Sequence, residues 1–187
     1  NGVPPALARQ RAKVGCHWTA LPGIEYCLQD VTRLCLVAPF LHAFRELAGD
    51  AAAPRTLDEL WRRYREHLAI SVVVVTRGFD WHMRHQAANS PEIVLNLFCR
   101  GPIERGLDVV EGGVDIYNLT MDGVGLATVA DSFAAIEQRV FAEGRLTIDR
   151  LAEVLERDYE GAEDVRLMLR NIPRYGCGGT RADAWAK

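Results

Sequence analysis

The fold is decided by one stretch of the sequence, Gly125-Leu126-Ala127-Thr128-Val129-Ala130-Asp131-Ser132-Phe133-Ala134-Ala135-Ile136. Either Asp131 or Ser132 is predicted to cap a helix, because short polar side chains accept hydrogen bonds from the free N–H groups at a helix start. Phe133, Ile136 and Val140 then recur at helical spacing. We therefore expect a helix that begins near Asp131 and buries this apolar face.

The elements on both sides of this stretch predict a chain with much helix and little strand. Residues 114 to 119 follow Gly112-Gly113 and alternate in polarity, which is typical of a strand. Thr147 is predicted to cap a helix whose apolar residues are Ile148, Leu151, Val154 and Leu155. Residues 158 to 161 are predicted to be a junction, and residues 163 to 170 a further helix.

The first half of the chain predicts four more helices. Thr56-Leu57-Asp58-Glu59 is a capping box, and it predicts a long amphipathic helix to about Arg77. A second helix is predicted from Asp30 to Gly49, kinked at Pro39, on the spacing of Val31, Leu34, Cys35, Ala38 and Leu41. Shorter helices are predicted over residues 5 to 14 and 92 to 98.

Composition excludes several classes of protein. The 187 residues carry 22 Lys plus Arg against 25 Asp plus Glu, a formal net charge of -3, whereas nucleic-acid binding typically requires a basic surface. The apolar run over residues 69 to 75 is far shorter than the ~20 residues of a membrane span. Five scattered cysteines without a Cys-x-x-Cys pair favour reduced thiols in a cytoplasm. The first residue is not Met, so we expect an excised piece of a longer protein.

Cys16 is the most suggestive single residue, because the turn signals around it predict a loop in which its thiol is accessible. Two alternatives stay open on local grounds: a small buried thiol, and a cysteine hydrolase that uses Cys16 with a histidine. His82 and His85 are spaced to meet on a helix, but a solvated face is favoured there over a metal site. We expect no metal.

Taken in order, a series of landmarks resembles the glycyl radical enzymes, the superfamily similar to pyruvate formate-lyase. The landmarks are Gly15-Cys16, Pro22-Gly23, Gln29-Asp30, Gly112-Gly113-Val114, Tyr117-Asn118, the stretch 125 to 136 and Pro173-Arg174-Tyr175-Gly176. The resemblance implies a helix-rich α/β fold, namely part of a ten-stranded barrel with the active-site cysteine on a loop. We expect residues 1–187 to form a single partial domain, without the C-terminal glycine radical domain and inactive alone.

The resemblance also implies the chemistry. In the family, a radical S-adenosylmethionine iron–sulfur activating enzyme installs a radical on a C-terminal glycine. That radical passes to the loop cysteine, which here is Cys16, and the thiyl abstracts a hydrogen from a small organic substrate. C–C, C–O or another C–X bond is then cleaved. The expected setting is anaerobic metabolism in the cytoplasm, with a homodimer at full length and no cofactor bound directly.

Site residues carry over one by one. Trp18 stands where eliminating members have a Glu that moves protons, and an indole N–H cannot act as a base. His17 titrates in the right range to replace it, and Trp18 becomes either an aromatic substrate wall or a core anchor. Asp30 matches a family aspartate that contacts a substrate hydroxyl. Arg33, one helical turn on, is expected either to bind a substrate carboxylate or to pair with Asp30.

These departures leave the substrate and the type of reaction open. They also keep a second hypothesis, that the chain is a catalytically inactive binding or scaffold relative. Cys177-Gly178-Gly179 adds to that doubt, because it replaces the family's Asn-Asp-Asp pattern.

Overall fold

The computed structural model describes residues 3–15 and 18–187, apart from the side chains of Gln29 and Asp30. Its helices and strands are α1 (Pro5–Ala8), β1 (Ala12–Val14), β2 (Trp18–Ala20), β3 (Glu25–Cys35), α2 (Val37–Gly49), α3 (Leu57–Asn89), α4 (Pro102–Arg105), β4 (Ile116–Val124), α5 (Leu126–Ile136), α6 (Ile148–Glu156), α7 (Glu163–Arg170) and α8 (Arg181–Trp185). The fold is therefore rich in helix, as expected. The chain folds into two compact units, each built from two separate segments of the sequence.

The first unit comprises residues 1–33 and 74–122. It holds the β1–β2 hairpin, most of β3 and β4, and the C-terminal part of α3. β1 and β2 pair in antiparallel register, with Ala12 opposite Ala20 and Val14 opposite Trp18. Tyr26, Val109, Val110 and Val114 form its apolar core. Two 3-10 turns, Leu95–Leu97 and Val109–Glu111, flank α4.

The β3 and β4 strands are neighbours in a sheet. The ring of Tyr26, near the start of β3, lies edge-on to that of Tyr117, near the start of β4. Beyond the other end, the N–H of Leu36 donates to the carbonyl of Val124 at 2.9 Å. The first residues of the two strands lie close together, and so do the residues at their C-terminal ends. We therefore infer that β3 and β4 are parallel. This direction is the one that α/β architectures use.

The second unit comprises residues 34–73 and 123–187 and is helical. Its core brings together α2, α5, α6 and the first turns of α3 around Phe133, which is 1% exposed. The ring of Trp185 in α8 stacks on Phe133 with a centroid distance of 4.8 Å. After α5, the chain continues through a π-helical segment, Glu137–Ala142. These apolar contacts fix α8 against α5.

Several sequence predictions are confirmed. The hydroxyl of Thr147 accepts from the N–H of Arg150 at 3.1 Å and caps α6. The helix predicted over 163 to 170 is α7, and the junction before it carries positive φ angles at Asp158 and Tyr159. The Thr56 hydroxyl accepts from the N–H of Glu59 at 3.2 Å and caps α3, whereas the N–H of Thr56 donates to the carbonyl of Pro54, so only half of the capping box forms. Both threonine caps lie within three residues of their partners, which is why local sequence indicates them.

Other predictions are wrong. Residues 30 to 35 belong to strand β3 rather than to a helix, and α2 begins at Val37, so Pro39 lies in a first turn where it causes no kink. The N-terminal helix ends at Ala8, and β1 follows. α5 begins at Leu126 with Gly125 as its N-cap, which leaves Asp131 in the helix interior. The carboxylate of Asp131 instead accepts from the backbone N–H of Tyr175 at 2.8 Å.

Candidate active site

The predicted cysteine loop follows β1 and precedes β2 in the sequence. The two strands pair, with Val14 opposite Trp18. Cys16 and His17 lie outside the described residues, and their predicted roles therefore stay predictions. Trp18 is the first residue of β2 and is half-buried.

Hydrogen bonds from Asn118 and Arg100 help to attach this hairpin to the rest of the first unit. The side-chain amide of Asn118, on β4, donates to the carbonyl of Thr19 at 3.1 Å. Where the hairpin turns into β3, the N–H of Arg100 donates to the carbonyl of Gly23 at 2.8 Å. Gly23 has φ of +73°, and a Cβ there would lie 3.3 Å from the Phe98 carbonyl oxygen, so this turn favours glycine. The hairpin is thus held at one of its own strands and at its base.

One face of the β3–β4 sheet is apolar and packed. Tyr26 and Leu28 from β3 and Leu119 from β4 lie against the core of the unit. The side-chain amide of Gln86 donates to the Tyr26 hydroxyl at 2.8 Å. Burial raises the pKa of Tyr26 above its usual value, so the phenol stays neutral at physiological pH and cannot serve as a base.

The opposite face of the same sheet is polar, because side chains alternate along a strand. It carries Glu25 on β3, and Asn118 and Thr120 on β4. The bond from Asn118 to Thr19 places the hairpin on this face. The strand β2, through Thr19, therefore lies on the side of the sheet opposite the packed apolar face.

Three side-chain oxygens in this unit are buried and have no hydrogen-bond partner in the described part of the chain: Glu25 Oε1, Gln86 Oε1 and Thr120 Oγ1. Glu25 is 9% exposed and is the first carboxyl group after Cys16 in the sequence. Such unpaired buried groups cost free energy, on the order of 1–3 kcal/mol each. Sequence reasoning missed Glu25, because burial of a carboxyl group leaves no sequence signal.

The structure does not support the helical geometry predicted for Asp30 and Arg33. Both residues belong to β3, so the helix that was expected to hold them one turn apart does not form. Arg33 is exposed, and Asp30 is placed by its backbone alone.

No group of three His, Cys, Asp or Glu side chains that could hold a metal ion occurs among the described residues. His82 and His85 belong to no such group. The Nδ1 atom of His85 lies 2.7 Å from the Trp81 carbonyl oxygen, and the His85 ring stacks on the Trp81 ring. Cys27, Cys35, Cys99 and Cys177 form no disulfide among the described residues. In the part of the chain that the structure covers, every helix is too short or too polar to cross a membrane.

A separate groove of about 550 Å³ lies in the second unit, among α2, α5, α6 and α7. Phe40, Phe44 and Leu169 contribute to its apolar lining, and Asp131 and Arg174 are among its polar lining residues. Neither Trp18 nor Arg33 is among the described residues that line it.

Solved structures define the class of protein. The chain superimposes over 99% of its length on hydroxyproline dehydratase from Clostridioides difficile, with a TM-score of 0.85 and 22% identity, and covers 25% of that chain. It also matches a structure of 1,2-propanediol dehydration in Roseburia inulinivorans, with a TM-score of 0.83, 25% identity, 99% of this chain and 26% of that one. The fold is that of a glycyl radical enzyme barrel.

The sequence comparisons give the family. The model of the pyruvate formate lyase-like family matches residues 1–187, and the chain belongs to this family. The isethionate sulfite-lyase of Desulfovibrio desulfuricans is 31% identical over 140 residues, 73% of this chain. The match covers 17% of that relative, so the chain spans less than a fifth of its length.

Proposed function

We propose that this chain carries the thiyl-forming cysteine of a glycyl radical enzyme and that this cysteine is Cys16. The observation that carries the proposal is the family match over residues 1–187, and the paired strands β1 and β2 that flank position 16 in the sequence are consistent with it. Residues 1–187 would then be part of one catalytic domain. The alternative of a cysteine hydrolase loses support, because the relatives are lyases and dehydratases.

The chemistry proposed at Cys16 is a hydrogen-atom exchange with the substrate. A thiyl radical takes a hydrogen atom, so an S–H bond forms, a substrate C–H bond breaks and a carbon radical remains. A neighbouring C–O, C–S or other C–X bond then cleaves, and the product radical takes the hydrogen back. The radical is supplied through a glycyl radical that a radical S-adenosylmethionine activating enzyme installs.

Because Trp18 replaces the family's Glu, another side chain must transfer the proton to the leaving group. An indole N–H donates a hydrogen bond but is no acid or base near neutral pH. We assign this role to His17, because imidazole is the side chain suited to exchanging a proton near neutral pH. Trp18, half-buried on β2, is then an apolar wall for the substrate.

The substrate class that we infer is a small organic molecule with a leaving group next to the abstracted hydrogen. Related enzymes carry names that include isethionate sulfite-lyase and trans-4-hydroxy-L-proline dehydratase, so related sites act on small polar acids. An aromatic wall at Trp18 favours a substrate with a flat or apolar part. We place the reaction in the cytoplasm and propose a homodimer for the complete polypeptide.

The test uses the complete polypeptide that carries this chain, produced anaerobically with its activating enzyme. Electron paramagnetic resonance measures the glycyl radical, and product formation from a panel of small diols, sulfonates and hydroxy acids measures turnover. Cys16→Ser is expected to keep the glycyl radical signal and to lose turnover. Cys99→Ser, which changes a thiol of the same unit outside the hairpin, is the matched control and is expected to keep both.

Two results would contradict the proposal. Full turnover in the Cys16→Ser protein would remove the thiyl role. A wild-type protein that forms no glycyl radical with its activating enzyme would instead favour a binding or scaffold relative. A pH–rate profile of His17→Gln that matches the wild type would leave Cys16 in place and remove the proton role from His17.

A further inference from the structure

Five large apolar side chains of the first unit lie on its surface and form what we call the apolar cluster. Each is at least 67% exposed: Ile93, Val94, Leu97, Phe98 and Ile103. They lie on or beside two neighbouring elements, because α4 contacts the 3-10 turn Leu95–Leu97. Proteins rarely expose so many large apolar side chains together, and such a surface is typical of an interaction site.

The segment that carries most of the cluster is apolar on two sides. Leu95 and Cys99 lie between the exposed residues in the sequence and pack against the core of the unit. The unit therefore covers one side of the segment, whereas the side with Leu97 and Phe98 is exposed in the described part of the chain. A helical turn that is apolar on all sides is typical of a buried position.

Hydrogen bonds hold this segment in one conformation. The carboxylate of Asp108 accepts from the N–H of Glu92 and from the side-chain amide of Asn96, both at 2.9 Å. The side-chain oxygen of Asn96 in turn accepts from the N–H of Val109 at 2.8 Å. The surface is therefore preformed, which lowers the conformational entropy that docking would cost.

A cation accompanies the cluster. Arg100 follows Phe98 closely in the sequence, is exposed, and forms no ion pair within the part of the chain that the structure describes. Its backbone is fixed, because its N–H donates to the carbonyl of Gly23 at 2.8 Å. An unpaired cation beside an apolar surface favours a partner that brings a carboxylate.

The size of the cluster favours cover from the same polypeptide over cover from a second copy. Five side chains of this kind present on the order of 300–600 Å² of apolar surface. A stable dimer needs roughly 800 Å² from each partner, so a dimer through the cluster alone would be weak. Family relatives are several times longer than these residues, since the chain covers 25% of hydroxyproline dehydratase.

We propose that the apolar cluster is the docking surface for a segment of the complete polypeptide that lies outside residues 1–187. This segment is apolar where it faces the cluster and carries an Asp or Glu opposite Arg100. Its docking attaches the first unit to the remainder of the polypeptide. The inference is independent of the function proposed for Cys16, because none of its evidence involves that cysteine.

The first experiment measures whether the cluster is covered in the complete polypeptide. Leu97→Cys places a thiol in the cluster, and Ala88→Cys places one at an exposed position outside it. Alkylation by iodoacetamide is followed site by site by tandem mass spectrometry, in folded and in urea-unfolded protein. Leu97→Cys is expected to react on the order of tenfold more slowly when folded, and Ala88→Cys within about threefold of its unfolded rate. Equal folded and unfolded rates at Leu97→Cys would overturn the proposal.

The second experiment identifies what covers the cluster. Phe98 is replaced by p-benzoylphenylalanine in the complete polypeptide, and irradiation links this side chain to its neighbour. The expected product migrates as a monomer in denaturing electrophoresis and contains a linked apolar peptide, with Asp or Glu, from outside residues 1–187. A product that migrates as a dimer would identify a second copy as the cover, and a link within residues 1–187 would mean that the chain covers its own surface. Either result would overturn the proposal.

The third experiment tests the charge expected in the docked segment. Arg100→Glu would place two negative charges together, so it is expected to speed folded-state alkylation of Leu97→Cys by about three- to tenfold. Arg84→Glu makes the same change of charge at an exposed residue of α3 and is expected to leave that rate unchanged. Equal rates in the two variants would refute the carboxylate opposite Arg100.

Discussion

Gly125 shows how a single residue joins a strand to a helix in this fold. It is the N-cap of α5, has φ of +91°, and would place a Cβ 2.5 Å from Val37 Cγ2. Gly125→Ala is therefore expected to lower the free energy of unfolding by about 2–4 kcal/mol, from backbone strain and overpacking together. Urea unfolding of the variant measures this change.

The control for Gly125 is another glycine with open space around it. Gly49 is the last residue of α2, and a Cβ there would have no atom within 4 Å. Gly49→Ala is expected to be neutral or to stabilise by up to about 1 kcal/mol. Equal effects of the two substitutions would refute the steric account of Gly125.

Arg139 is a buried charge with a complete set of partners. Its guanidinium donates to the carbonyls of Met168, at 3.2 Å, and Asn171, at 2.5 Å, and to the carboxylate of Glu143 at 2.7 Å. Removal leaves the carbonyls of Met168 and Asn171, at the end of α7, without this donor. Arg139→Ala is expected to cost about 1–3 kcal/mol in thermal or urea unfolding.

Arg145 is the matched control, because it also pairs with Glu143. Its side chain is 58% exposed and lies 3.7 Å from the carboxylate, which is typical of a weak surface ion pair. Arg145→Ala is expected to change stability by less than about 1 kcal/mol. A similar loss in both variants would mean that the pairing with Glu143, rather than the capping of α7, carries the effect.

At the scale of elements, sequence predicted those parts of the fold that depend on local signals. α7 and the capped start of α6 follow from caps and helical spacing that lie within a few residues. The strand β3 does not follow from local signals. Val31, Leu34 and Cys35 have helical spacing, and they form a strand because β3 pairs with another strand. Local alternation predicts β4 as a strand, but no local pattern indicates that it is the neighbour of residues 25 to 35.

α8 was not predicted, and its start depends on Asp183. The backbone N–H groups of Gly176 and Thr180 donate to its carboxylate at 2.8 and 2.9 Å. These bonds lower the pKa of Asp183 from 3.8 to about 2. The carboxylate therefore stabilises the fold above its ordinary pKa, and that contribution is lost as the pH falls from about 4 to about 2.

Asp183→Asn is accordingly expected to be less stable than the wild type at pH 7. The difference should shrink on acidification, because the wild-type carboxyl group is then progressively protonated. Urea unfolding of both proteins at pH 7 and at pH near 2.5 measures the difference in their free energy of unfolding. A difference that stays constant between the two pH values would mean that the charge of Asp183 contributes nothing to α8.

At the scale of the whole molecule, the order of landmarks predicted the family, whereas the site geometry required coordinates. Gly15-Cys16 and the stretch 125 to 136 are short motifs that can be matched one by one. The contact of Asn118 with Thr19 joins residues 99 positions apart, and the burial of Glu25 depends on neighbours from several elements. Neither has a local sequence signal.

The first unit also exposes a cluster of large apolar side chains close together in sequence: Ile93, Val94, Leu97, Phe98 and Ile103, each at least 67% exposed. Contiguous exposed apolar residues of this kind promote association. We expect the 187-residue chain, when purified alone, to self-associate with rising concentration. Leu97→Lys with Phe98→Lys should shift it towards monomer in size-exclusion chromatography with light scattering, with little change in thermal stability.

The control adds the same charge outside the cluster, at the exposed positions of Ala88→Lys with Ser90→Lys, and should leave the association unchanged. An equal shift with this control would mean that added charge, and not the apolar cluster, governs association.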